Sequence, residues 1–320
     1  GFRFNGDLQG LENWSERQDL IEELKEMNIE INFDCDPFDK LTLTDTQNES
    51  ILSAKKPFFY LIKRGNFPGS LDKGLKEQAE KEGVEIIFNK KIPEEKADIV
   101  ATGPILKEIE TADKGIVFKT DSANKSIMAL NNNLAFEGYS YLLITDNYGC
   151  MCSVVLKKLD RINDCFKETK KFFKEEYDLD IKSPKKAGGI GSFALKHLLE
   201  VNHKEKEILY IGEAAGLQDF LWGFGMRFAF ESGYLAARSI IEDKDYEKMA
   251  RKEFNKRLKA SVVNRYIWEK LGDRAYSFLI KHPIITKKAL YSLHKFNILQ
   301  RMIYPFAISN LKKKYPKLEL

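Results

Sequence analysis

The 320 residues contain no uninterrupted run of 18 apolar side chains, so nothing in the sequence reads as a membrane-spanning helix. There is no Cys-x-x-Cys pair. Cys35, Cys150, Cys152 and Cys165 are dispersed, and so are His197, His203, His282 and His294. That spacing argues against a structural zinc site, gives no metal ligand set, and leaves four reduced thiols, as in a cytoplasmic protein. The first residues, Gly1-Phe-Arg-Phe-Asn-Gly-Asp7, carry no initiator Met and no secretory or transit signal. Nowhere does an apolar strand run into G-x-G-x-x-G with an acidic residue about 20 positions on, the unit that cradles a dinucleotide pyrophosphate. The nearest glycine cluster, Gly188-Gly189-Ile190-Gly191, follows Ser-Pro-Lys-Lys-Ala and reads as a loop. Internal repeats and low-complexity linkers are also missing.

What is present is a globular composition, 43% hydrophobic and 31% charged, long enough for two interleaved domains and an appendage. The net charge of +4 is unevenly spread. Residues 244–320 hold 19 Lys/Arg against 6 Asp/Glu, whereas the preceding 243 hold 33 against 42. A basic C-terminal quarter points to a polyanionic surface, membrane headgroups ahead of nucleic acid. Apolar stripes there (Val262, Val263, Tyr266, Ile267; Ile284, Ile285, Leu290, Leu293) fit peripheral contact with a membrane, or simply packing with the charges in water. Nucleic acid is not expected as a partner.

Ser15 and Gln18 form a capping-box pattern before Leu20, Ile21, Leu24 and Met27 at helical spacing. Strands are expected at Ile29–Phe33, Leu41–Thr44, Pro57–Ile62, Val84–Phe88 and Ala97–Gly103, with a helix from Ser70 to Gly83. Between 115 and 157, four short strands separated by Asn-rich turns (Ile116–Lys119, Lys125–Leu130, Tyr139–Ile144, Cys150–Leu156) imply an antiparallel sheet. A helix over Arg161–Tyr177 leads to a strand at Ile208. Past Gly225 the chain reads as helices at 225–242, 245–271 and shorter segments to about 310, broken at Pro283 and Pro305. The class is α/β.

The densest motif is Ile208-Leu-Tyr-Ile-Gly-Glu-Ala-Ala-Gly216, Leu217-Gln-Asp-Phe-Leu-Trp-Gly-Phe-Gly225 and Met226-Arg-Phe-Ala-Phe-Glu-Ser-Gly233. An apolar strand, a glycine-punctuated loop and a helix start bring backbone N–H groups against an anionic or electron-rich ligand. It resembles the second flavin-contact motif, G-D-A-A-G…D-P…G-E-G, of FAD-dependent oxidoreductases of the geranylgeranyl-reductase family. Glu213 stands for its Asp, Phe220 for its Pro and Phe224 for its Glu. Gly1-Phe-Arg3-Phe resembles the family's G-G-R-F stretch after the first βαβ unit, and Tyr60-Leu-Ile-Lys-Arg64…Leu71-Asp72…Leu75 its Y-x-x-x-R…L-D-x-x-L element. Ala101-Thr102-Gly103 resembles its A-T-G motif. Phe136-Glu-Gly-Tyr139-Ser-Tyr141-Leu-Leu143 resembles P-x-x-Y-x-W-x-F-P, with only Tyr139 kept.

The resemblance implies an FAD-binding Rossmann-like domain truncated at its N-terminus, an inserted antiparallel substrate domain and a C-terminal helical region. Its boundaries would be 1–28, 65–105 and 205–243 for FAD, 29–64 and 106–204 for substrate, and 244–320 for the helices. It implies FAD held by Arg3, Arg64, Thr102, Gly103, Gly212, Glu213, Ala214, Trp222, Gly223, Gly225 and Met226. An apolar or lipid substrate would lie on Tyr139, Tyr141 and Leu143. The implied reaction is reduction of a carbon–carbon double bond in a prenyl or other lipid chain. The alternatives are a flavin monooxygenase using NAD(P)H and oxygen on a small aromatic, and a flavin-less lipid-binding relic. Asp7, Gln9 and Glu12 are candidates for ribityl contacts or a proton relay. Cys150 and Cys152 place two thiols on one strand face, where burial, or else a redox or proton-donor role, is expected.

Overall fold

The computed structural model describes residues 7–14, 18–103, 109–191, 200–203 and 206–315. It divides into two units. Unit 1 takes the described residues of Gly1–Glu85, Glu110–Ile190 and Leu271–Tyr291; unit 2 takes those of Ile86–Ile109, Gly191–Lys270 and Ser292–Leu320. These boundaries differ from the expected ones. Residues 7–12 and 59–64 pair along their whole length, which draws the first segment to the substrate strands rather than to the glycine motif.

Unit 1 contains two sheets. The smaller has the order β1-β5-β2, from β1 (Asp7–Glu12), β2 (Cys35–Phe38) and β5 (Phe59–Arg64), all antiparallel. The larger has seven strands in the order β11-β7-β10-β9-β8-β3-β4: β3 (Lys40–Thr44), β4 (Glu49–Ser53), β7 (Thr111–Lys119), β8 (Lys125–Ala129), β9 (Tyr139–Thr145), β10 (Tyr148–Leu156) and β11 (Lys182–Gly191). The antiparallel run β7-β10-β9-β8 matches the four strands read from the sequence. One face of it carries Ile116, Phe118, Ile127, Leu142, Ile144 and Met151, closed over by Phe173 of helix α3 (Ile162–Glu176). Helices α1 (Leu20–Glu26) and α2 (Leu71–Lys81) complete the first part of the unit. The Ser70 cap on α2 forms as expected, its side chain accepting from Lys73 N–H.

Unit 2 is built on β12 (Glu200–His203), β13 (Lys206–Tyr210) and β6 (Ile99–Val100), with β13 parallel to β6. Its helices are α4 (Met226–Glu242), the part of α5 (Tyr246–Lys281) up to Lys270, and α7 (Ile298–Lys314). Gly272, at φ 57 and ψ −154, interrupts α5. Helix α6 (Pro283–Leu290) returns to unit 1 with Pro283 in its first turn, where a missing N–H costs nothing.

Several expectations need correction. The cap of α1 is Asp19, which accepts from Ile21 N–H; Ser15 lies outside the described residues. Residues 29–33 form no strand, because part of their backbone bonding goes to α2. Gln78 accepts from Glu30 N–H at 2.9 Å and donates to Glu30 O at 2.8 Å. Residues 84–88 form no strand either, and Val84, Ile87 and Phe88 are each 53% exposed. The glycine cluster at 188–191 belongs to strand β11, not a loop. Helix α7 runs through Pro305, whose exposed position lets the carbonyl it frees reach water.

Candidate functional site

In unit 2, Leu209 lies beside Ile99 and Tyr210 beside Val100 in parallel, so β13 and β6 end at the same edge. The turns beyond the carboxyl ends of parallel strands present backbone N–H groups and form the usual ligand edge of α/β folds. After β6 come Thr102, exposed, and Gly103 at φ +76, where an added Cβ would meet nothing within 4 Å. After β13 comes Gly212 at φ +55. Its N–H donates to Ser232 Oγ at 2.9 Å, and a Cβ there would come 3.3 Å from the Ala229 Cβ. Both the left-handed backbone and the close approach to α4 call for glycine. The turn closes with Gly216 N–H to Glu213 O and Leu217 N–H to Gly212 O, each 3.0 Å.

The following loop is held from within. Asp219 N–H donates to Phe224 O at 2.7 Å, Gly223 N–H to Asp219 O at 2.8 Å, and Trp222 N–H to Asp219 Oδ2 at 2.7 Å. Trp222 is buried, edge-on to Trp268 (5.6 Å, 90°) and to Phe224 (6.1 Å, 88°), so its ring anchors the loop in the core. Phe220, standing where the motif has Pro, is fully buried edge-on to Tyr315. Gly225 caps α4 without a side-chain hydrogen bond, and Glu213, Gly223, Gly225 and Met226 are half-buried around it while Ala214 is buried. The start of α4 at Gly225 and Met226, beside the Gly212 turn, is where the ribityl chain and ring edge of a flavin would lie. The expected contacts Thr102, Gly103, Gly212, Glu213, Ala214, Trp222, Gly223, Gly225 and Met226 therefore fall in one unit. Arg64 falls in the other, and Arg3 lies outside the described residues.

Two buried ion clusters support this edge. Glu231 accepts from Arg257 Nη1 at 2.5 Å and from Arg227 Nε at 3.3 Å; Arg257 also stacks on Phe228 at 4.3 Å. Burial raises the Glu231 carboxyl against the pull of Arg257 and Arg227. Glu269 accepts from Arg265 Nε at 2.7 Å and from Tyr315 Oη at 3.0 Å, and pairs with Lys314. Burial works against that carboxylate as well, but Arg265 and Lys314 outweigh it and hold it below its ordinary range. The signal available in the sequence was the i,i+4 spacing of Arg227–Glu231 and Arg265–Glu269.

In unit 1 the chemistry lies on the sheet face opposite α3. Register pairs Leu143 with Cys150 and Tyr141 with Cys152 across β9–β10, then Cys152 with Gly115 and Val154 with Asp113 across β10–β7. Directly opposed residues share a face. Tyr139, Tyr141, Leu143, both thiols and Asp113 therefore stand together. Tyr139 and Leu143 are buried, Tyr141 half-buried, and the two tyrosine rings lie 6.1 Å apart.

The smaller sheet adds a polar chain to this face. Arg64 grips Asp72 through Nε (2.9 Å) and Nη2 (3.0 Å) and donates from Nη1 to Gln9 Oε1 at 2.8 Å. Gln9 Nε2 donates to Asp7 Oδ2 at 3.0 Å, and the Cys150 thiol donates to Asp7 Oδ1 at 3.0 Å. Arg64, Asp7, Gln9 and Cys150, singled out separately in the sequence, thus form one connected line. Glu12 is also buried, at the far end of β1. Burial raises the Asp7 carboxyl, although Cys150, Gln9 and Arg64 oppose it. Burial and then the Asp7 charge push up the Cys150 thiol and the Tyr141 phenol. Burial followed by the Asp113 charge does the same to Cys152.

Asp113 completes the group with Cys152 Sγ 3.8 Å from its Oδ2, and its carboxyl is raised to about 6 by burial and by Asp7. The close approach of Gly188 to the Asp113 carbonyl, where a Cβ would come within 2.5 Å, brings β11 alongside, and Gly189 N–H bonds Asp113. Sequence reading missed Asp113, since a single Asp in a strand carries no motif.

No protein-family model matches the sequence, and no curated protein does. Solved structures do match in fold. The flavin-dependent brominase Bmp2 superposes with a TM-score of 0.64 at 14% identity, over 98% of this chain and 91% of that one. A geranylgeranyl bacteriochlorophyll reductase-like protein from Thermoplasma acidophilum gives 0.57 at 18% identity, over 91% and 86%. A flavoprotein/dehydrogenase from Cytophaga hutchinsonii gives 0.56 at 11%, over 97% and 91%. The mixed α/β chain, with its antiparallel sheet and C-terminal helices, has the fold that these flavin-dependent and reductase-like proteins share.

Proposed function

We propose that this chain is an FAD-dependent oxidoreductase that reduces a carbon–carbon double bond of a prenyl or other lipid chain. The observation that carries the reading is the glycine edge of unit 2, where Gly103 and Gly212 adopt positive φ at adjacent strand ends and the Gly212 turn packs against the first turn of α4. The shared fold supports it. Bound flavin would supply the hydride, with NAD(P)H as the source of electrons. Glu213 would accept a ribityl hydroxyl, and the first N–H groups of α4 would face the electron-rich ring edge. In unit 1, Tyr139, Tyr141 and Leu143 would bind apolar substrate, while Asp113, its carboxyl raised to about 6 by burial and by Asp7, would exchange a proton just below neutral pH.

The test is spectroscopic. The full natural protein should purify yellow or take up FAD stoichiometrically. Its reduced form, kept free of oxygen, should be reoxidised by a geranylgeranyl lipid that gains two hydrogens by mass spectrometry. A colourless protein that takes up no FAD overturns the flavoenzyme reading and leaves the lipid-binding relic. A monooxygenase acting on a small aromatic is the second reading, favoured by the fold shared with a brominase. It would instead show flavin reoxidation that depends on oxygen and an aromatic.

A further inference from the structure

Helix α7 is packed the wrong way round for a helix whose outer side meets water. Its buried residues, Gln300, Ala307 and Leu311, lie on one side. At 100° per residue, Ile298, Leu299, Met302 and Phe306 fall on the opposite side, and they are 78, 64, 68 and 70% exposed. Four large apolar side chains in two turns form a contiguous patch, unlike the scattered single residues common on protein surfaces. The helix is firmly ended as well: Asn297 and Gln300 make a reciprocal capping box, so the patch sits on a formed helix.

The charge around the patch has one sign. Lys295, Arg301, Lys312 and Lys313 are exposed on or beside α7. From Arg274 to Leu318 the sequence holds ten Lys/Arg and not one Asp or Glu. Of the stripes that suggested membrane contact from sequence, Val262, Val263 and Leu290 are buried and serve packing, whereas Ile284 and Ile285 of α6 are exposed. No described helix is long and apolar enough to cross a bilayer.

We infer that the exposed face of α7 is an in-plane docking surface for an anionic lipid bilayer, with Ile298, Leu299, Met302 and Phe306 inserted among the acyl chains. Arg301, Lys312 and Lys313 then lie at the level of the phosphate groups. An apolar face edged by cations and free of acidic groups has the chemistry of such an interface: it gains from burying apolar area and from the negative surface potential, and it lies flat. A protein groove rich in acidic residues would match the charge but not a flat, open apolar strip. The inference does not depend on the reaction proposed above, because vesicle binding is read without flavin or substrate.

The experiment is flotation of the full protein with vesicles of neutral phosphatidylcholine, and with vesicles containing phosphatidylglycerol, at low and high salt. Binding should require the anionic lipid and fall at least tenfold when salt shortens the screening length from about 10 Å to about 3 Å. Arg301→Gln should weaken it about fivefold, the effect of one basic residue near a charged surface. Met302→Glu with Phe306→Glu should abolish it while melting at the same temperature as the parent, since both side chains face outward. No binding to anionic vesicles at low salt overturns the inference, as does undiminished binding by the double Glu variant. A dimer in solution that the double variant converts to monomer, without lipid binding by the parent, would assign the face to a second copy instead.

Discussion

Unit 1 and unit 2 surround their buried carboxyls with different partners. In unit 2, Glu231 meets Arg257 and Arg227, and Glu269 meets Arg265, Lys314 and the Tyr315 hydroxyl. Each buried carboxylate has cations within hydrogen-bonding reach: Arg265 and Lys314 outweigh burial at Glu269, whereas burial still raises Glu231 against Arg257 and Arg227, and both clusters act as scaffold. In unit 1, Asp7 and Asp113 face thiols and a phenol. The nearby Arg64 is already gripped in bidentate fashion by Asp72, whose carboxyl it holds below the ordinary range despite burial. Carboxyls buried beside neutral donors and beside each other keep their protons to higher pH. The difference separates a region built to hold shape from one able to exchange a proton.

The largest expected effect tests the scaffold side. Arg265→Ala leaves the Glu269 carboxylate with less of its compensation in a site where both side chains are almost wholly buried. It should cost about 3–5 kcal/mol in denaturant unfolding. A loss below about 1 kcal/mol would mean that Lys314 and Tyr315 suffice, and the contrast between the units would weaken.

Next comes the proton side. The folded Asp113 carboxyl titrates near 6, above its unfolded value of about 3.8. The native state therefore binds the proton more tightly than the unfolded chain. Stability should fall as pH rises through the window between those values and stay lower above it. Relative to Asp113→Asn, which cannot ionise, the parent should lose roughly 2–3 kcal/mol between pH 4 and pH 7. Parallel stability–pH curves for the two proteins would show that Asp113 titrates normally.

Glu213 probes the ligand edge, where a carboxylate is expected to serve a cofactor rather than the scaffold. Glu213→Ala should weaken FAD binding by about 1–3 kcal/mol, measured by flavin fluorescence quenching, and leave the melting temperature without FAD unchanged. Equal melting losses with and without FAD would place Glu213 among the structural carboxylates. The smallest effect concerns the thiols. Cys150 and Cys152 are buried and pushed up in pKa, and Cys165 is buried. All three should resist iodoacetamide at neutral pH until the protein unfolds. Rapid labelling of Cys152 in the native protein would mean that the face is open and its thiol ionised.

Local and repetitive features were legible in the sequence. The strands read at 116–156 followed from short segments split by Asn-rich turns, although β7 begins earlier, at Thr111, and the Ser70 cap followed from side-chain chemistry. The glycine edge was legible because positive φ and close approach to α4 leave little choice but glycine at 212. Tertiary structure decided what depends on residues far apart in the chain. It turned 182–191 into an edge strand, used Gln78 to occupy the backbone of Glu30, and joined Arg64, Gln9, Asp7 and Cys150 into one line of hydrogen bonds. It also chose which apolar stripes are buried, closing over Val262 and Val263 and leaving Phe306 outside. Periodicity marks a face as apolar, but which surface covers that face is set by packing between elements distant in sequence, and no local pattern encodes it.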